Sequence, residues 1–215
     1  MKICWLGMNR YLLLAIIIVP FCLNTVFGQK KPSVVWIVCE DISPFLKSYG
    51  DSIAKTPNLD SLARDAVLFT KAYSTAGVCA PSRSSIITGM HAISIGTQHM
   101  RTLSSSAFFM PQGLPSYSAV LPEYVKAFPE YLRAKGYYTT NNHKEDYQFE
   151  EPVTVWDDSS PAASYKYRPK NSPFFSVFNL AITHESKLMV PPDSIGFDPN
   201  DMKLPPYYLD TETIR

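Results

Sequence analysis

Ser33-Val34-Val35-Trp36-Ile37-Val38-Cys39-Glu40-Asp41 is a near-continuous apolar run that ends abruptly in two acids. Seven residues without polar alternation predict a strand buried on both faces, as in a parallel sheet. Two later stretches also read as strands. Gly136 to Thr140 leads into Asn141-Asn142-His143-Lys144, and Pro173 to Leu180 ends shortly before His184. Helical segments lie between them. Thr56-Pro57 opens a helix over Asn58 to Val67, with Leu59, Leu62, Ala63 and Ala66 on one face. Leu121 to Lys135 carries Val125, Phe128 and Leu132 at helical spacing, with Pro129 breaking the regularity and Gly136 stopping it. Val67 to Tyr73 reads as a short extended return. Met100 to Tyr117 and Glu151 to Ser172 read as Pro- and Ser-bearing loops, and there is no internal repeat. Strands alternating with helices predict an α/β fold, a mostly parallel sheet with helices on both faces. Ligands of such folds bind beyond the carboxyl ends of the strands. The three strands end in Glu40-Asp41, Lys144 and His184, so each polar cluster falls where a site belongs.

A fourth stretch joins them. Cys79-Ala80-Pro81-Ser82-Arg83 runs on through Ser84-Ser85-Ile86-Ile87-Thr88-Gly89. Pro81 suits the first turn of a helix, where a missing N–H costs nothing. Ser82 to Thr88 can be helical, and Gly89 suits the position just past the end. Cys79 is thereby expected just before a helix N-terminus, where free N–H groups favour negative charge. Arg83, four residues on, can reach back over the same face.

The 215 residues are 46% hydrophobic and 18% charged with net charge +1, an ordinary globular composition with one domain as its prior. No basic excess points to nucleic acid. Met1 to Gly28 reads as a secretory signal, with Lys2 and Arg10 before an apolar run from Tyr11 to Phe21. That run is short for a membrane span, so cleavage before Gln29 and export to a periplasmic or extracellular space are expected, with no membrane contact afterwards. Cys4 and Cys22 leave with the signal. Cys39 and Cys79 remain, and export makes a disulfide between them the rival to a reactive Cys79.

The stretch from Cys79 to Gly89 resembles the first signature of the type I sulfatases, whose cysteine is oxidised after synthesis to formylglycine. Thr56-Pro57-Asn58-Leu59-Asp60-Ser61-Leu62-Ala63 is similar to a further element of that family. Gly136-Tyr137-Tyr138-Thr139 with Lys144 resembles its second signature, and Pro173-Phe174-Phe175 with His184 resembles the strand that delivers a sulfate-binding histidine. The wording is nearest to exported bacterial sulfatases resembling N-sulfoglucosamine sulfohydrolases.

The resemblance implies an alkaline-phosphatase-like sandwich and hydrolysis of sulfate from a sulfated carbohydrate. It implies formylglycine at position 79, matured by a formylglycine-generating or anaerobic enzyme. It implies calcium held by Glu40, Asp41 and residue 79, Arg83 stabilising with it the ionised diol oxygen, and Lys144 and His184 binding the sulfate oxygens. Three departures accompany it. Glu40 stands where the family has aspartate. His143 and Asp146 flank Lys144 in place of a glycine and a histidine. His99 and Arg101 are the candidates to complete substrate binding, and His91 reads as structural. Family members are more than twice as long, so residues 29–215 are expected to be the N-terminal portion of a catalytic domain whose C-terminal part is missing. The alternatives are a phosphoester or phosphonate hydrolase of the same superfamily, or an inactive glycan-binding remnant.

Overall fold

The structure, a computed structural model, describes residues 30–100, 117–189 and 196–214. The chain divides into two compact units, Met1–Pro32 and Ser33–Arg215, and every element below lies in the second. The expected signal peptide and Arg101 lie outside the described residues. In chain order the elements are β1 (Val34–Cys39), α1 (Pro57–Arg64), α2 (Cys79–Thr88), α3 (Phe128–Ala134), β2 (Tyr138–Asn142), β3 (Asp158–Ser159) and β4 (Phe174–Leu180). The four strands form one sheet in the order β1-β4-β2-β3, and each pairing is parallel. This is the expected α/β architecture, with β3 as an addition inside a segment read as loop.

Register sorts the side chains. Trp36 pairs with Val177, and Val177 with Asn141, so these three share a face because parallel partners point the same way. Val34, Val38, Phe175 and Thr139 belong to it too. This face carries the core. Phe175, 2% exposed, sits among Trp36, Phe128 and Trp156 at centroid distances of 5.2, 5.2 and 6.0 Å. Ile87 of α2 belongs to the same cluster. On the opposite face, Tyr165 stacks on Phe174 at 4.7 Å and meets Phe178 edge-on, with the Arg168 guanidinium 5.0 Å over the Phe174 ring.

Three expectations about elements change. β1 is not buried on both faces: Val35 is 46% and Ile37 57% exposed. It is an edge strand, and among the described residues nothing covers the face that Val35 and Ile37 share. α1 ends at Arg64, short of Val67, and buries no residue; Leu62 is 61% exposed. Its start signals are local, Pro57 after Thr56, so it forms without the packing its apolar face was built for. Pro129 does not interrupt α3. The helix begins at Phe128, so the proline lies in its first turn, and the Ala127 N–H is taken by Glu130 Oε2 at 3.1 Å.

α2 matches its signals closely. It starts one residue earlier than expected, with Cys79 in the first turn rather than before it. Gly89 ends it at φ 68°, giving its N–H to Ser85 O at 2.9 Å. That left-handed cap is the reason for glycine there.

Candidate active site

β1, β4 and β2 lie side by side, so their carboxyl ends open onto one edge. Glu40 leaves β1 there, 6% exposed. The chain beyond β2 turns through Lys144, and the chain beyond β4 reaches His184 after a short 3-10 turn, Ala181–Thr183. The first turn of α2 brings Cys79 to the same edge. The chain turns sharply at these ends: Asp41, His143 and Asp146 have φ of 48°, 72° and 53°. Asp and His tolerate that region better than most residues.

Arg83 ties the ends together. Its Nη1 lies 3.2 Å from Glu40 Oε1, its Nη2 donates to Asn179 Oδ1 at 2.9 Å and to the Lys144 carbonyl, and its Nε donates to Glu145 O at 2.8 Å. A planar fork of fixed donors can serve so many acceptors at once, where an ammonium cannot. Glu40 takes a second cation: Lys144 Nζ is 2.9 Å from its Oε2 and 3.6 Å from Asp146 Oδ2. Two cations offset the desolvation of this buried carboxylate.

Cys79 Sγ is 3.8 Å from Glu40 Oε2. A ligand atom each from Glu40, Cys79 and His184 lies within 4.8 Å of the others. Burial pushes the Cys79 thiol up; Lys144 pulls it down, while Glu40, Asp41 and Glu185 push it up further. Burial and Glu40 likewise raise Cys39. Both cysteines are free, so the rival disulfide is not formed. His184 Nδ1 faces Ser186, 3.0 Å from its Oγ and 3.2 Å from its backbone N.

Five of the expected site residues, Glu40, Cys79, Arg83, Lys144 and His184, therefore meet at one edge. Asp41 is beside them but exposed, its Oδ2 accepting from the Glu185 N–H at 3.0 Å. His99 is exposed, 3.4 Å from Gln98 through its Nε2, and makes none of the contacts that join the five. One partner was missed. Asn179 accepts from Arg83 and donates to Asn141 Oδ1 at 3.0 Å and Asn142 O at 2.9 Å, linking β4 to the end of β2. It is the penultimate residue of β4, and nothing local in the sequence marks its role.

Calcium takes six to eight oxygens. Here the converging set is one carboxylate oxygen, one sulfur and one imidazole nitrogen, with Asp41 outside it. With unoxidised sulfur at position 79, this set does not fit calcium; the two carboxylates are the part that would.

The family model described as Sulfatase matches residues 32–214. The chain belongs to the sulfatase family. It is 46% identical over 162 residues to an ulvan-active sulfatase of Formosa agariphila, a stretch covering 75% of this chain and 27% of that protein. Over 57 residues it is 44% identical to human iduronate 2-sulfatase, covering 26% of this chain and 10% of that one. A solved structure in complex with its substrate, D-glucosamine-2-N,6-O-disulfate, superposes with a TM-score of 0.55 at 19% identity, covering 73% of this chain and 35% of that chain. That likeness is one of fold. This sulfatase-family chain thus spans about a quarter of the length of the ulvan-active relative.

Proposed function

We propose that the protein removes sulfate from a sulfated carbohydrate, with residue 79 as nucleophile after oxidation of Cys79 to formylglycine. The observation that carries this is the convergence of Cys79, Glu40, Arg83, Lys144 and His184 at one sheet edge, in a family of sulfate hydrolases. Carbohydrate is the favoured class because the relatives include an ulvan-active and an iduronate sulfatase, and a structural neighbour holds a sulfated glucosamine.

The unoxidised sulfur is poorly suited to attack. Burial, opposed by Lys144 and reinforced by three carboxylates, raises its pKa, which disfavours the thiolate, the nucleophilic form. Formylglycine supplies a hydrated aldehyde, an oxygen nucleophile, at the same position. The other side chains then divide the work. Arg83, fixed by Asn179 and two carbonyls, holds Glu40 and presents positive charge beside residue 79. Lys144 can swing from Glu40 onto a sulfate oxygen, countering charge that develops in the transition state. His184, its Nδ1 turned toward Ser186, can give a hydrogen bond to a sulfate oxygen or a proton to the leaving oxygen. A hard divalent ion belongs to the same proposal, with Glu40 and Asp41 as its carboxylate donors. His99 and Arg101 remain the proposed contacts to the sugar.

The proposal includes export, with Met1–Gly28 as signal, and a maturation enzyme as partner. No described helix is long and apolar enough to cross a membrane.

The test is co-expression with a maturation enzyme, mass spectrometry of the peptide bearing residue 79, and ion chromatography of sulfate released from sulfated saccharides. An aldehyde mass and sulfate release, both lost in Cys79→Ala, are expected. Phosphate release in preference to sulfate, or sulfate release that survives Cys79→Ala, overturns it. Saccharide binding without turnover would turn the proposal into a glycan-binding one.

A further inference from the structure

We propose that Asn179, Asn141, Ser159 and Glu145 are positioning residues: they form a closed ring of hydrogen bonds that fixes the Arg83 guanidinium, and Glu151 locks the ring at Glu145. The inference deepens the sulfatase reading. The ring follows from the contacts alone, and its effect on turnover rests on that reading.

The contacts close on themselves. Arg83 Nη2 donates to Asn179 Oδ1 at 2.9 Å. Asn179 Nδ2 donates to Asn141 Oδ1 at 3.0 Å, and Asn141 Nδ2 to Ser159 Oγ at 3.1 Å. The Ser159 hydroxyl donates to Glu145 Oε1. The Glu145 carbonyl then accepts from Arg83 Nε at 2.8 Å, which returns the circuit to its start. Its direction is fixed. A guanidinium only donates, so Asn179 must turn its oxygen to Arg83 and its nitrogen to Asn141. Asn141 is turned the same way in consequence, and the Ser159 hydrogen is left for Glu145. Every bond runs from one cation to one carboxylate, so each polarises the next. The ring spans α2 and three neighbouring strands, with Asn141 opposite Ser159 in register and only 1% exposed.

Glu151 is the second observation. Its carboxyl is hydrogen-bonded to that of Glu145, and its Oε2 is buried without a partner. Two carboxyl groups in such contact hold one proton between them. Glu145 already accepts from Ser159, so the proton stays on Glu151. Burial, then the hydrogen bond and charge of Glu145, push Glu151 up to about 9, with Trp156 pulling the other way. Tyr147, buried beside the pair, is pushed up by burial, Glu151 and Glu145 and pulled down by Arg83. Loss of the Glu151 proton sets two anions against each other. It does so at the residue whose carbonyl holds Arg83 and whose neighbour in the chain is Lys144. The edge that carries residue 79 should thereby loosen at alkaline pH, through a group outside the five that meet there.

The experiment uses the full chain, co-expressed with a maturation enzyme, and has two readouts. The first needs no turnover. It is the Arg83 Nε–H resonance in proton–nitrogen spectra of isotope-labelled protein, assigned by its loss in Arg83→Lys. In the parent it should be sharp at neutral pH and fade near pH 9, where Glu151 titrates. Glu151→Gln, whose amide donates to Glu145 at every pH, should exchange that proton about tenfold more slowly at pH 9, the factor that one retained hydrogen bond gives. Glu150→Gln, an exposed neighbour, should behave as the parent. The second readout is sulfate release. Ser159→Ala removes one link, and Asn141→Asp keeps the acceptor toward Asn179 but not the donor toward Ser159. Each should lower kcat about tenfold, the worth of one lost network bond, with KM within about twofold. Glu151→Gln should move the alkaline limb of the kcat profile to higher pH. Should Asn141→Asp fail to fold, Ser159→Ala, at the exposed point of the ring, decides alone. An Arg83 resonance unmoved by Ser159→Ala, or one that fades alike in the parent and Glu151→Gln, overturns the proposal. So does an unchanged kcat in Ser159→Ala. A parent that releases no sulfate overturns the sulfatase reading while the resonance still decides the ring, so the two fail separately.

Discussion

At the residue scale, Glu40 and Arg83 decide whether the strand ends stay together. Both are largely buried, and Arg83 spans acceptors up to 96 residues away in sequence. Removing Arg83 leaves Glu40 with Lys144 alone and takes the donor from three further part-buried acceptors, Asn179 Oδ1 and the Lys144 and Glu145 carbonyls; together such losses typically cost about 3–5 kcal/mol. Arg83→Ala should therefore lower the urea midpoint by that equivalent, and Arg83→Lys should recover little, because an ammonium cannot reproduce the fork. Recovery by lysine would show that charge alone matters. Glu151 carries a second prediction. Burial, then hydrogen bonding and repulsion from Glu145, push its carboxyl up to about 9. The folded state then binds a proton that the unfolded state has released, so stability falls as pH rises from the ordinary carboxylate range toward 9. Glu151→Gln should remove that slope. At pH 8 it should raise Tm by roughly 2–4 °C, the shift that about 1 kcal/mol gives a chain of this size. Thermal melts of both proteins between pH 5 and 9 check it; parallel curves would place the Glu151 proton elsewhere.

At the element scale, α2 is where local sequence and function coincide. Gly89 closes it in the left-handed region, and a Cβ there would meet nothing within 4 Å. Gly89→Ala should cost only the backbone term, about 1–2 kcal/mol, readable as a shift in denaturant midpoint; a larger loss would reveal packing that the cap does not show. β1 and β4 were legible from their apolar content and β2 from its Tyr-Tyr-Thr-Thr stretch after Gly136, and all three lie within two residues of their expected bounds. β3 was not legible because it is two polar residues, Asp158 and Ser159, stabilised only by pairing with β2. Pro129 was misjudged because a proline reads as a break or a start according to where the helix begins. The site divided in the same way. Cys79, Arg83, Glu40, Lys144 and His184 were visible from strand ends and motif wording. Asn179 was not, because its role depends on Arg83 and Asn142, which only the folded sheet brings to it. Tertiary hydrogen bonds of this kind leave no local signature.

At the scale of the whole molecule, the sheet is covered unevenly. The face bearing Phe175 and Val177 is closed by α2, α3 and a ring cluster, while the other face over β1 shows Val35 and Ile37 to solvent. Ile86 and Leu62 are exposed as well. Sulfatase relatives are several times longer than the stretch they share with this chain, and an apolar edge strand of this kind is a template for pairing with another chain. Dilute protein should therefore associate as concentration rises, and a polar substitution on the open face should oppose that without unfolding the core. Ile37→Lys is the sharpest choice: the side chain is 57% exposed, so its replacement should move Tm by no more than the roughly 0.5 kcal/mol equivalent of an ordinary surface change. Sedimentation velocity across a concentration series should show the weight-average mass of the parent chain climbing and that of Ile37→Lys remaining at the monomer value. If instead Ile37→Lys unfolds the protein at any concentration, the open-face reading of β1 is wrong.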